Sequence, residues 1–268
     1  MKTRNLLSVG LCLASALAFS SCSKESDSVT KTGEVTPEVL SQIKQMGFTT
    51  QGVAAVDGGY LVEGDIFLTA DNLAAHSPAQ LLRVGAEEQY RTTNLVTVGT
   101  GRTVSVGVST ALPLAYVTAT DEAIARYNAQ SLLIRFVRVT SGAEITLAQA
   151  PKRAQYLASG GFPTGGNPYN QVLINSGAIG TANPTTYIAT ILAHEIGHCI
   201  GFRHTDYMDR SFSCGGSVSN EGASTVGAIL IPGTPAAADP NSWMLACIGS
   251  GVNRPFNPND VTALKYLY

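Results

Sequence analysis

The stretch richest in chemistry is His194-Glu195-Ile196-Gly197-His198-Cys199-Ile200-Gly201-Phe202-Arg203-His204. Histidines four residues apart stand one turn apart on one helix face, so both imidazoles reach a single ion. Glu195 follows the first of them and projects toward a neighbouring edge of that face. It is suited there to handling the proton of a metal-activated water. Gly201 ends the helix and can take the left-handed conformation that a sharp turn needs, and that turn returns His204 as a third ligand. Three neutral imidazoles plus one water make an open zinc site, a catalytic arrangement rather than a structural one. Of the chain's four histidines, three fall inside this string, which concentrates the metal chemistry here. The remaining one, His76, stands beside Ser77-Pro78 and reads as a surface residue.

Composition narrows the setting. A net charge of -2 with 13% charged residues offers no basic footprint for nucleic acid. A length of 268 residues and an apolar fraction of 44% suit one medium domain with a sizeable core plus a small accessory segment. Lys2 and Arg4 precede an apolar run, Leu6 to Phe19, that is too short to span a bilayer comfortably. It ends in Phe19-Ser20-Ser21-Cys22, which resembles a bacterial lipobox, with Phe19 where Leu is usual. That resemblance implies a signal over residues 1–22 and a lipid on Cys22; a plain secretory peptide cleaved nearby is the competing reading. The polar tether after it, residues 23–33, resembles the surface-export signals of some gut-bacterial lipoproteins, and a solvated linker has the same composition. No other stretch is long and apolar enough to cross a membrane. The expected location is therefore the bacterial cell envelope, lipid-anchored at the outer membrane or surface, or outside the cell. Once Cys12 and Cys22 are set aside, Cys199, Cys214 and Cys247 remain. Export favours a disulfide, and three pairings are open.

The elements that must position the histidines follow from pattern. Asn183 as cap, Pro184 in the first turn and Gly201 as stop predict the active helix. Asn257-Pro258 predicts a final helix through Tyr268. Upstream, Thr103 to Val108 alternates like a strand, and Thr120 to Gln130 reads as a helix capped by Thr118 or Thr120. Its inward residues are expected to be Ile124, Ala125 and Tyr127. Leu132 to Val139 and Ala143 to Ala148 read as strands joined at Ser141-Gly142, and Gln171 to Asn175 as another. In the accessory part, Pro37 to Met46 has helical spacing. After the turn at Asp57-Gly58-Gly59, residues Tyr60 to Leu68 are extended with a break at Gly64-Asp65. A polar stretch through Arg91 to Asn94 closes that segment. Strands mixed with helices and no repeat predict one α+β domain over residues 98–268, preceded by an accessory segment over residues 34–97.

The full string resembles the metzincin signature, and HEIGHCIGFRHTD is similar to bacterial HEIGH-type metallopeptidases. The resemblance covers residues 98–268. It implies a zincin catalytic domain with a mixed twisted sheet, an active-site helix and a C-terminal helix. It also implies a methionine turn beneath the metal, and Ser242-Trp243-Met244 resembles that turn, with Trp243 where Ile is usual. Met208 lies only four residues past His204, too few to loop under the site. Ala246 stands where astacins often carry a tyrosine, so no tyrosine switch is expected. Glu63-Gly64-Asp65-Ile66 resembles the motif of astacin propeptides in which an Asp binds zinc, with Val62 where that motif has Phe. The family also implies strand addition of an extended substrate peptide, with Gly160 to Asn175 as the receiving edge.

The activity implied is zinc-dependent endopeptidase cleavage of extracellular or periplasmic proteins by a monomer, with Glu195 as general base. A zinc-containing surface binding or adhesion module without turnover is the alternative; an intact Glu195 argues against it. Cleavage-site preference, removal of the N-terminal segment and calcium binding have no local code.

Overall fold

A computed structural model of the chain describes residues 34–46, 48–74, 89–222, 227–235 and 237–268. The expectations for Cys22 and His76 lie outside the described residues. Helix α1 (Pro37–Met46) starts where Thr36 Oγ1 accepts from Val39 N at 3.3 Å and Pro37 fixes the first turn. It buries Ile43 and Met46 against a three-stranded antiparallel meander of β1 (Ala54–Val56), β2 (Gly59–Val62) and β3 (Ile66–Thr69). Helix α2 (Ala70–Ala74) closes this part. The turn from β2 to β3 is Glu63-Gly64-Asp65, with Glu63 at φ 54° and Gly64 at φ 88°. A glutamate in the left-handed region costs about 1–3 kcal/mol, so its place in the turn needs a reason.

The rest of the chain runs β4 (Tyr90–Arg91), β5 (Arg102–Val108), α3 (Leu114–Asn128), β6 (Ile134–Val139), β7 (Ile145–Gln149), β8 (Ala158–Ser159) and β9 (Gln171–Ile174). It continues through α4 (Ser176–Ile179), α5 (Thr185–Ile200), α6 (Ser211–Cys214), β10 (Ile229–Leu230) and α7 (Pro258–Leu267). A mixed five-stranded sheet has the order β6-β5-β7-β9-β8, parallel except for the antiparallel edge strand β8. Strands β6 and β7 flank β5 on opposite sides. The link between them crosses at Gly107, where an added methyl would meet that of Ala143 at 2.8 Å. Helices α3 and α5 pack together, and Tyr127 OH donates to Ala193 O at 2.7 Å. From Tyr187 to Ile200 every residue of α5 is buried, so its position is set by packing on all sides. None of the described helices is long and apolar enough to cross a membrane.

Several boundaries differ from the sequence reading. Helix α3 starts at Leu114 after Pro113, with no side-chain cap. Thr118 and Thr120 lie inside it, where Thr120 Oγ1 bonds back to Tyr116 O (2.7 Å), the alternative use of a hydroxyl that mimics a cap in sequence. The inward alanine is Ala123; Ala125 is exposed. Asn183 does not cap α5 either, because Pro184 holds that position and the Asn183 amide donates to Ile179 O. Helix α7 keeps the expected start. Asn257 accepts from Asn259 N and Asp260 N, and Asp260 answers as a capping box.

Candidate metal centre

Helix α5 carries His194 and His198 one turn apart, and Gly201 ends it at φ 116°. A side chain at Gly201 would also meet Asn94 O at 2.9 Å, so the turn requires glycine twice over. Past the turn the chain is pinned from the N-terminal side. Arg203 N donates to Tyr90 O (2.9 Å), Thr92 N donates to Gly201 O (2.8 Å), and Arg91 bridges Phe202. His204 thereby returns over the helix face.

Each imidazole is tied outward through Nδ1: His194 to Trp243 O (2.9 Å), His198 to Phe202 O (2.8 Å) and His204 to Glu221 Oε1 (2.7 Å). These partners only accept, so Nδ1 carries the proton and the Nε2 lone pairs face inward. His198 Nε2 and His204 Nε2 stand 3.2 Å apart. Asp65 Oδ2 reaches among them, 3.0 Å from His204 Nε2 and 3.6 Å from His194 Nε2. Inward lone pairs beside a carboxylate repel unless a positive charge lies between them, and a donor set of three imidazoles and one carboxylate fits a divalent cation. The carboxylates draw positive charge into the cluster in either form, as an ion on the Nε2 lone pairs or as a second proton on His204. Burial works against the Asp65 charge, yet His204 and His194 hold its carboxyl well below the usual range. Burial also works against a charged His204, and Asp65 and Glu221 outweigh it.

Glu195 is buried beside this cluster, and its Oε2 has no hydrogen-bond partner. Burial, reinforced by Asp65, pushes its carboxyl well above the ordinary range. Gly160 lies against it, since a methyl there would stand 3.1 Å from Glu195 Oε2. Met244 is fully buried under the helix, with Sδ 2.7 Å from where a Gly197 methyl would stand. Its turn is held by Asp260, which accepts from Ser242 Oγ (2.9 Å), Trp243 N (3.3 Å) and Gln89 Nε2 (2.6 Å). Burial pushes Asp260 up to about 7 against these donors. A Cys214–Cys247 disulfide resolves the open pairing, and Cys199 stays free and buried in α5.

The hairpin delivers Asp65 along the edge of the sheet. Gly160 N donates to Asp65 O (3.0 Å) and Phe67 N to Gly160 O (2.8 Å), a parallel pairing just past β8. The expected receiving edge therefore needs correction: residues 171–174 are interior between β7 and β8, and the edge is β8 with Gly160. A two-residue edge strand has no alternation to read.

Three contributors go beyond the site residues that the sequence pattern singles out. Glu221, 17 residues past His204 in a Gly/Ser-rich loop, had no sequence signal. Glu63 inserts beside fully buried Arg203 at 2.8 Å, which accounts for its left-handed backbone. It lay within the string already singled out. Arg203 also faces the Phe48 ring and has Glu221 at 3.5 Å. Arg254 is the third; it lines a cavity of about 290 Å³ that opens beside His194 and Glu195.

Residues 60–268 match the family described as dual-action HEIGH metallo-peptidase. No curated protein matches in sequence. Among solved structures, the chain is similar to one described as the structure of myroilysin, with 18% identity and a TM-score of 0.31 over 40% of this chain and 50% of that one. It is also similar to one described as the crystal structure of myroilysin, with 15% identity and a TM-score of 0.40 over 63% of this chain and 86% of that one. The chain thus spans half the length of the first.

Proposed function

From the premise that this chain belongs to the HEIGH metallopeptidase family, we propose that it is a zinc-dependent endopeptidase of metzincin type. In this reading His194, His198 and His204 hold the metal and Glu195 is the general base. The observation that carries it is the set of inward Nε2 atoms, each fixed by an outward Nδ1 bond, beside a buried carboxylate with an unpartnered oxygen.

Bound zinc supplies Lewis acidity toward a scissile carbonyl and lowers the pKa of water toward about 7. Glu195 takes the water proton at its free oxygen and returns it to the leaving amine. Trp243 O, Phe202 O and Glu221 keep the imidazoles oriented. Met244 supports Gly197 from below. Backbone groups of β8 and Gly160 align an extended peptide by strand addition. A non-catalytic adhesion module would have no use for Glu195. The test of the ligand set is metal analysis of His204→Ala: loss of stoichiometric zinc is expected, and unchanged affinity would remove His204 from the set.

Residues 34–97 act here as an inhibitory segment with Asp65 as latch. Support comes from the 3.0 Å approach of Asp65 to His204 and from the pairing of residues 65–67 on the edge that a peptide would use. The chain is further proposed to be anchored through lipid on Cys22, from the Ser20-Ser21-Cys22 end of the apolar run. Cys22→Ala should release it from membrane fractions; continued sedimentation with membranes would argue for another attachment.

A further inference from the structure

The cavity beside His194 and Glu195 lies between α5, which contributes Thr190 and Ile191, and the stretch after Met244, which contributes Leu245 and Ile248. At about 290 Å³ it is near the lower bound of ligand pockets and suits one side chain rather than a whole small molecule. Because Glu195 lines it too, an occupant must belong to a residue flanking the bond that reacts.

Its walls are mostly apolar, and one feature stands apart. Arg254 is half-buried in the lining, with one side-chain hydrogen bond among the described residues, from Nη1 to Cys247 O at 2.8 Å. Its backbone N–H is fixed to Thr190 Oγ1 at 3.0 Å, which ties it to the active helix. Among the described residues it takes part in no salt bridge, as is also true of half-buried Arg91 and exposed Arg135 and Arg153, but of these four it alone lines the cavity. Asp206 and Asp260 are the carboxylates whose fields reach it. Both are committed elsewhere: Asp206 accepts from Ala246 N and Ser213 Oγ, and Asp260 from the methionine turn and the start of α7. The half-buried guanidinium keeps N–H groups with no partner among the described residues, and an incoming carboxylate gives them directional, charge-assisted bonds. Arg210 adds a second guanidinium to the lining, already paired with Glu221.

We propose that Arg254 sets substrate preference, selecting an acidic side chain at the residue that enters this cavity beside the scissile bond. The inference rests on the peptidase reading and names its substrate class. Gly64 and Asp65 of the hairpin also line the cavity, so the variant Asp65→Ala is tested beside the wild type.

The test uses the full chain, alone and with Asp65→Ala. Peptides with Asp, Leu or Lys on either side of the cleavable bond are scored for kcat/KM, with cleavage sites mapped by mass spectrometry. Peptide hydroxamates bearing the same three side chains are scored for Kd. Acidic members should exceed the leucine series by about tenfold or more in both assays. Arg254→Gln should bring the ratio to near one, Arg254→Lys should keep part of it, and Arg254→Glu should favour lysine. Binding is read without turnover, so absence of cleavage with preserved acidic selectivity in Kd would sink the endopeptidase reading alone. A wild-type chain that handles leucine as well as aspartate overturns the Arg254 assignment without any variant. So does selectivity unchanged in Arg254→Gln.

Discussion

The active helix and the hairpin that faces it are held by different forces. Helix α5 is buried throughout from Tyr187 and belongs to the main core, which also holds Val104, Ile134, Leu147 and Trp243. The N-terminal part has a separate core of Ile43, Met46, Phe48, Val62, Ile66, Leu68 and Leu73. It meets the rest through the partly buried Phe162, a small cluster of Leu61 with Ala150 and Tyr156, and polar anchors at Gly160, Arg203 and His204. His194 and His198 therefore rest on packing that cannot be withdrawn without disturbing the main core. Asp65 rests on a part with an apolar core of its own. One compact unit thus holds two separately packed parts, and local opening is expected first where their shared apolar contacts are fewest.

Variants can break that contrast in graded steps. Glu195→Gln should cost the largest factor, about a hundredfold or more in cleavage, while metal content and melting temperature stay at wild-type values. Cleavage at the wild-type rate would remove the chemistry from the active helix. Glu221→Ala should weaken metal binding by about 10- to 100-fold in a chelator competition, since His204 loses the carboxylate on Nδ1. An unchanged competition curve would make that contact incidental. Glu63→Gln should act on the other region. Loss of the ion pair to buried Arg203 should speed hydrogen exchange across residues 59–69 several-fold more than in α5. Equal acceleration in both regions would mean that they open together, and the contrast would fail.

The convergence of His194, His198 and His204 was legible because helical periodicity and one left-handed glycine suffice to bring them together. The α1 and α7 starts were legible for a related reason, as Pro37, Asn257 and Pro258 act within a few residues. What holds the imidazoles was not. Gln89 reaches Asp260 across 171 positions and Glu221 reaches His204 across 17, through loops with no periodic pattern. Met244 stood out only through resemblance, since a buried methionine has no spacing of its own. Arg254 reads in sequence as one more arginine. Its meaning lies in the carboxylates that are committed elsewhere, which only tertiary structure reveals. The edge strand was displaced for a simpler reason: residues 171–174 have the apolar run of an interior strand, whereas Ala158–Ser159 is too short to show any pattern.

The proposal that Asp65 stands where the attacking water must bind has one direct test. The rate of cleavage of a quenched peptide, normalised to bound metal, is measured for the full chain and for the same chain with Asp65→Ala. The account predicts that the variant binds metal as well as the wild type does and cleaves at least about tenfold faster, because one competing ligand has left the open coordination position. Equal rates at equal metal content would contradict it, and the hairpin would then be a packing element with no hold on the active site.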